Sequence, residues 1–162
     1  MKKIIALLFP MLFFSIPTTA FCKDLRTLDK QQRMDYLSAL AIEVTKNFGP
    51  EWYAQGATKV VVSDTLATYQ AADESRRKIK ENAGRKYYRV TLMYDEDTHK
   101  RIGYSYASFV DIWADDGEPL GVIFGNSYGR NFIFLSYKEW MKMGIDKVDQ
   151  IPYEAFDTEN IL

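Results

Sequence analysis

At Arg85 the spacing of apolar side chains changes from the three-or-four of a helix to the two of a strand, and it stays at two as far as Leu135. On that pattern Lys86–Tyr94, Arg101–Trp113, Leu120–Phe124 and Asn131–Leu135 read as four strands. The segments between them, Asp95–Lys100, Ala114–Pro119 and Gly125–Arg130, are short, polar and mostly glycine-bearing, so they read as turns. Connections this short join antiparallel neighbours, because a parallel pair needs a crossover of a dozen residues or more. The C-terminal half is therefore committed to an antiparallel meander. Its second strand is unusually long and neither face stays apolar, so it is expected to bend or bulge.

Upstream, Met34, Leu37, Ala41, Val44 and Phe48 recur at helical spacing within Leu28–Phe48, with Lys30, Arg33, Asp35 and Lys46 elsewhere on the wheel. Thr27 or Asp29 can cap the start, and Gly49-Pro50 stops the helix, with glycine suited to a left-handed exit. Val60–Val62 lies in a short β-branched strand, Thr58–Ser63. Leu66, Tyr69, Ala72, Arg76, Ile79 and Ala83 return to helical spacing, which predicts a second helix over Ala71–Ala83 ending at Gly84. Ser136 and Glu139 have the spacing of a capping box for a short helix through Met143. The tail, Ile145–Leu162, is acidic and weakly patterned. The expected fold class is α+β: a long N-terminal helix and a shorter one packed on a curved antiparallel sheet of about four to five strands. This element order resembles that of cystatin-like and NTF2-like domains, whose curved sheets cup a helix. The resemblance is one of element order alone and implies no functional residues.

Residues 1–22 have the layout of a secretory signal peptide: Lys2 and Lys3, an apolar run from Ile4 to Ile16, then small residues before Asp24. The run is too short for the roughly twenty helical residues that cross a bilayer, and Pro10 interrupts it. Cleavage is expected after Ala20 or after Cys22. A lipoprotein with an acylated Cys22 is the lesser alternative, since the bulky Phe21 stands where such a signal takes a small residue. The expected organisation is a signal peptide over 1–22 and a single globular domain over 23–162, secreted or periplasmic, with no transmembrane span in the exported chain. That domain would carry 19 basic and 22 acidic side chains, a balance that offers no basic face to displace counterions from nucleic acid.

Three motifs have a bland reading that outweighs the chemical one. Gly125-Asn-Ser127-Tyr-Gly129 fits the G-x-S-x-G elbow of hydrolases, but a strand follows it and the lone histidine, His99, precedes it, so a hairpin turn is expected. Ser75-Arg-Arg-Lys78 fits S-x-x-K, yet the companion motifs are missing and the surrounding charges mark a solvated face. His99 with Asp95 and Asp97 could ligate a metal, but acidic hairpin tips commonly serve to keep strands from pairing edge to edge. No metal and no cofactor is expected.

What remains is an aromatic load: 20 of the residues after position 22, rich in tyrosine. Tyrosine and tryptophan join apolar area to a polar tip and suit binding surfaces, although cross-strand packing explains any one of them equally well. Trp52, Tyr53, Tyr104, Tyr106, Trp113 and Tyr128 are the candidates for holding a partner or ligand. On an unbroken strand Tyr106 and Trp113 point to opposite faces, one under the helices and one outward. The function expected is that of an exported, non-enzymatic binding protein holding a protein partner, as an inhibitor or immunity protein does. A small-ligand or glycan pocket is the alternative, and a hydrolase using paired carboxylates such as Asp64 and Asp111 is the third. Export is tested directly: N-terminal sequencing of the protein from its native host should start at Phe21, Cys22 or Lys23 outside the cytoplasm. Recovery of Met1 refutes cleavage.

Overall fold

Asp29 sets where the long helix begins, because its carboxylate accepts the Gln32 main-chain N–H at 2.9 Å and satisfies a donor that the first turn leaves unpaired. The structure is a computed structural model that describes residues 24–49, 53, 56–72 and 75–144. The expected signal peptide and its cleavage sites, Trp52 and the acidic tail lie outside the described residues. Helix α1 spans Lys30–Phe48 and follows a 3-10 turn at Leu25–Thr27. Short helices follow at Arg77–Glu81 (α2), Glu96–Ile102 (α3) and Tyr137–Lys142 (α4). The strands are β1 (Ala57–Val62), β2 (Ala67–Thr68), β3 (Lys86–Tyr94), β4 (Tyr106–Trp113), β5 (Pro119–Phe124) and β6 (Gly129–Asn131). Every pairing is antiparallel and the order is β1-β3-β4-β5-β6, with β2 also on β3. The protein is thus α+β, with four helices and an open six-stranded antiparallel sheet among the described residues. No helix among those residues is long and apolar enough to cross a membrane.

The pleat divides the sheet into two faces of different fate. Tyr88, Val90, Leu92 and Tyr94 of β3, Ser108, Val110 and Ile112 of β4, and Val122 and Phe124 of β5 are buried. Against them α1 lays Leu37, Leu40, Ala41, Val44, Thr45 and Phe48, which are buried as well. Each aliphatic side chain withdrawn from water here contributes about 1.5–3 kcal/mol before chain entropy is counted. Met34, at the N-terminal end of the same stripe, is left exposed. Helix α4 closes the far end of this layer. The Tyr137 hydroxyl donates to Glu43 Oε1 at 2.6 Å and accepts from Asn47 Nδ2 at 2.7 Å, and its ring meets Phe48 and Phe132. Burial, with Glu43 beside it, pushes the Tyr137 hydroxyl's pKa well up.

Several expected boundaries move, each for a local reason. The segment Asp95–Lys100 is not a turn but most of α3: Asp95 caps Thr98 N–H at 2.7 Å, Glu96 and Asp97 stand in the first turn and Lys100 and Arg101 in the last. That charge order suits the helix dipole and consumes the start of the long strand, so β4 begins only at Tyr106. The helix expected over Ala71–Ala83 shrinks to Arg77–Glu81 with no buried residue, and Ala67 and Thr68 ahead of it pair with Tyr87 and Lys86 as a short strand. The last strand is Gly129–Asn131, ahead of Asn131–Leu135, since Asn131 Oδ1 takes the Ile133 N–H at 2.7 Å and turns the chain. Gly49 leaves α1 with φ −152, so no left-handed exit is involved. Glycine serves there because a Cβ would strike the Phe124 ring. The capping box at Ser136 and Glu139 is present, and Gly125–Tyr128 is a hairpin tip between β5 and β6.

Thr45 and Ser108 form a hydroxyl pair that joins α1 to the sheet inside this core: 2.7 Å apart and both fully buried. Thr45→Val should cost about 1–3 kcal/mol by stranding the Ser108 hydroxyl, whereas Thr45→Val with Ser108→Ala should recover most of that loss. Urea unfolding of the two single variants and the double closes the cycle, and strict additivity would show that the pair is not coupled.

Candidate functional site

The other face of the sheet carries Lys59 and Val61 of β1, Tyr87, Arg89, Thr91 and Met93 of β3, Phe109, Asp111 and Trp113 of β4, and Ile123 of β5. Tyr106 joins them. A bulge opposite Leu92 and Met93 leaves Ala107 unpaired, so Tyr106 pairs with Met93 and lays its ring against Phe109 at 5.6 Å. The expectation that Tyr106 and Trp113 part to opposite faces is corrected by that bulge, which restores even spacing, and neither lies under α1. Their burial still differs. Trp113 is 5% exposed because Tyr69 and Tyr87 meet it edge-on at 5.6 and 6.3 Å and the Arg85 guanidinium covers it at 4.1 Å; Tyr106 is half-buried.

Charges on this face are spent on one another. Arg89 donates from Nε and Nη2 to the two oxygens of Asp111 at 2.7 and 2.8 Å, and its guanidinium stacks on Phe109 at 4.2 Å. The hydrogen bonds to Asp111 hold the Arg89 pKa above its ordinary value against the burial that would lower it. Arg85 likewise donates to Asp115 at 2.5 Å and to Asp116 at 2.7 Å. Burial works against ionisation of Asp115, but the hydrogen bond and charge of Arg85 outweigh it and keep that carboxyl below the usual range. Each guanidinium is thereby fixed as a lid over an aromatic ring.

Two open grooves flank Tyr87. The larger, about 500 Å³, runs between the Thr68–Gln70 segment and β6, with Tyr69, Tyr87, Phe109, Asp111, Ile123 and Asn131 on its walls. The smaller, about 240 Å³, lies toward β1, between Val61, Thr65 and Arg89. Val61 and Ile123, at 40% and 38% exposure, extend the apolar surface to either side.

Of the six residues singled out by sequence, Tyr106 and Trp113 reach this face. Trp52 lies outside the described residues. Tyr53 packs half-buried against the core under the Lys46 ammonium, 4.6 Å from its ring centre. Tyr104 sits in the connection between α3 and β4 and Tyr128, 67% exposed, at the β5–β6 tip. Tyr69, Tyr87, Arg89, Phe109 and Ile123 are not among the residues singled out by sequence, and Asp111 stands there only as a carboxylate candidate. The odd-numbered alternation of β3 carries the signal for Tyr87 and Arg89, but Tyr69 shares the helical spacing that runs into Ala71–Ala83 and the Ala107 bulge hides the face that Phe109 shares with Tyr106.

The chemical motifs resolve into packing. Ser127, φ +70, is the turn residue of the hairpin, and His99 is exposed on α3, where Asp95 is engaged as cap. Lys78 donates to the Phe134 carbonyl at 2.7 Å. Asp64 is exposed with Lys30 at 3.9 Å, while Asp111 is held by Arg89. Comparison with protein-family models, with curated proteins and with solved structures finds no match to this chain.

The two candidate aromatics on this face should separate in stability measurements. Trp113→Ala removes a ring enclosed by Tyr69, Tyr87 and Arg85 and should cost about 3 kcal/mol or more. Tyr106→Ala, losing mainly the contact with Phe109, should cost about 0.5–1.5 kcal/mol. Urea midpoints at unchanged m-value read the difference, and equal costs would contradict the packing described.

Proposed function

We propose that the protein is an exported, non-enzymatic binding protein, and that the sheet face turned away from α1 holds a protein partner. The observation that carries this reading is the composition and openness of that face. Tyr87, Phe109, Tyr106, Val61 and Ile123 are half-buried or exposed on one face of the sheet, and the ion pairs Arg89–Asp111 and Arg85–Asp115 lie among them already satisfied. Apolar patches rimmed by polar groups on an otherwise well-buried domain mark sites of association. Aromatic and arginine side chains are those that most often dominate such contacts.

An enclosed aromatic cavity would favour a small ligand, whereas both grooves here are open along their length. A carboxylate hydrolase would want two facing acids with distinct environments; Asp111 is instead neutralised by a bidentate arginine. Export to the envelope or exterior rests on the character of residues 1–22 and supplies the compartment in which the partner is to be sought.

Pull-down from the native envelope and secreted fractions tests the reading. Wild type and Met34→Ala, altered at an exposed position of α1, should retain the same protein. Ile123→Asp and Tyr87→Ala should retain at least tenfold less while melting cooperatively. Equal recovery by the wild type and all three variants would remove this face from consideration.

A further inference from the structure

We propose that the partner is engaged through an extended peptide segment that adds to the free edge of β6, with uncharged apolar side chains entering the neighbouring 500 Å³ groove. The proposal rests on the reading of the sheet face as a protein-binding surface and specifies how the partner is held.

The register identifies which main-chain groups are unused. Phe124 N–H donates to Tyr128 O at 2.7 Å and Phe132 N–H to Leu120 O at 2.8 Å, with Val122 paired to Arg130 between them. Hydrogen-bonded pairs alternate along an antiparallel ladder, so Tyr128, Arg130 and Phe132 face β5 while the N–H and C=O groups of Gly129 and Asn131 face away from it. Strand β6 is the last of the sheet, and among the described residues no strand pairs with that side. Neither Gly129 nor Asn131 is shielded by its own side chain, and both are exposed.

The opposite edge is built differently. Strand β1 carries Lys59 and a register shift between Ala57 and Lys59, two devices that discourage strand addition. Strand β6 has neither of these; it is short, Gly129–Asn131, and its inward-facing Arg130 is 6% exposed beneath the Trp140 ring at 4.6 Å, so the segment it can accept is limited to a few residues.

Gly129 shapes what the edge can receive. A Cβ there would strike the Val122 carbonyl and Ile123 Cγ1, so the backbone lies directly against Ile123 and the strand puts no side chain on the groove wall at this position. Paired residues in a sheet share a face, so an added strand stands alternate side chains beside Gly129 and Asn131, at the β6 end of the groove. Charge selects among them. The ionisable groups lining the groove are Asp111, whose oxygens Arg89 occupies, Arg130, which is buried, and the two tyrosines. A groove with no charge to offer favours uncharged aliphatic or aromatic residues and penalises charged ones by their desolvation.

The probe is a phage-displayed library of random dodecapeptides panned on the purified protein, with enriched sequences synthesised and their affinity measured by fluorescence anisotropy. Enriched peptides should carry apolar residues at alternating positions. Amide exchange at Gly129 and Asn131 should slow at least tenfold when such a peptide is bound. Asn131→Pro removes an outward N–H that β5 does not use, so the protein should stay folded while peptide affinity falls at least tenfold; Asn131→Ala loses the same side-chain bond to Ile133 but keeps the N–H, so it should bind at least fivefold more tightly than Asn131→Pro. Loss of affinity in Tyr87→Ala without loss in a folded Asn131→Pro would overturn edge addition and leave the binding face standing. Affinity unchanged in both, or no enrichment, overturns the proposal together with the peptide-binding reading. Slow exchange of both amides before peptide is added also overturns it: dependence on protein concentration would identify a second copy as the occupant, and independence a segment of the same chain.

Discussion

A single amphipathic helix covers one face of a six-stranded sheet, and this asymmetry governs the rest of the molecule. The stripe from Leu37 to Phe48 is wide enough to seal the even-numbered residues of β3, β4 and β5, and helix α4 extends the seal through Tyr137 and Trp140. Nothing of comparable size covers the odd-numbered face among the described residues. That face must therefore satisfy itself, and it does so by pairing arginine with aspartate and laying each guanidinium on an aromatic ring. An isolated charge there would cost little while solvated but would obstruct any apolar partner; a neutralised pair flattened on a ring obstructs far less.

The sequence carried the architecture because its strongest signals were local. The spacing from Met34 to Phe48, the caps at Asp29 and Ser136, and the alternation from Lys86 to Tyr94 each follow from contacts within one element. The misreadings fall where two local signals compete. Asp95 to Lys100 holds turn residues, yet Asp95 followed by acids and then bases is also a helix start, and the dipole and cap favoured the helix. Leu66 to Ala72 has helical spacing, but pairing of Ala67 and Thr68 with the free edge of β3 satisfies more main-chain groups than an isolated, heavily charged helix would.

The candidate site was less legible for a reason of a different kind. Which face a strand residue occupies depends on counting by twos, and one extra residue inverts the count for everything beyond it. The bulge at Ala107 is such a residue. It brings Tyr106 onto the same face as Trp113, a placement that no reading of β4 alone could supply, since the bulge is defined by the register with β3. Tyr69 is a second case: its ring reaches Trp113 only because the short β2 delivers it across the end of β3.

The first of these departures gives Phe109 a neighbour on the open face, and the second gives the groove a wall. With Tyr106 on the core side, Phe109 would lose its neighbour; with Tyr69 on a helix, Trp113 would be exposed and the groove would lack a wall. Gly129 completes it by withholding a side chain from the strand that borders it. The bulge, the short strand and the glycine each weaken the local sheet, the first by breaking the ladder and the others by contributing few contacts. Tyr106, Tyr69 and Gly129 all stand on or beside one open surface, although the bulged Ala107 and the register shift at Ile112 reach the packed face as well. A core packed as closely as the one beneath α1 can carry such irregularities where they shape the open half of the domain.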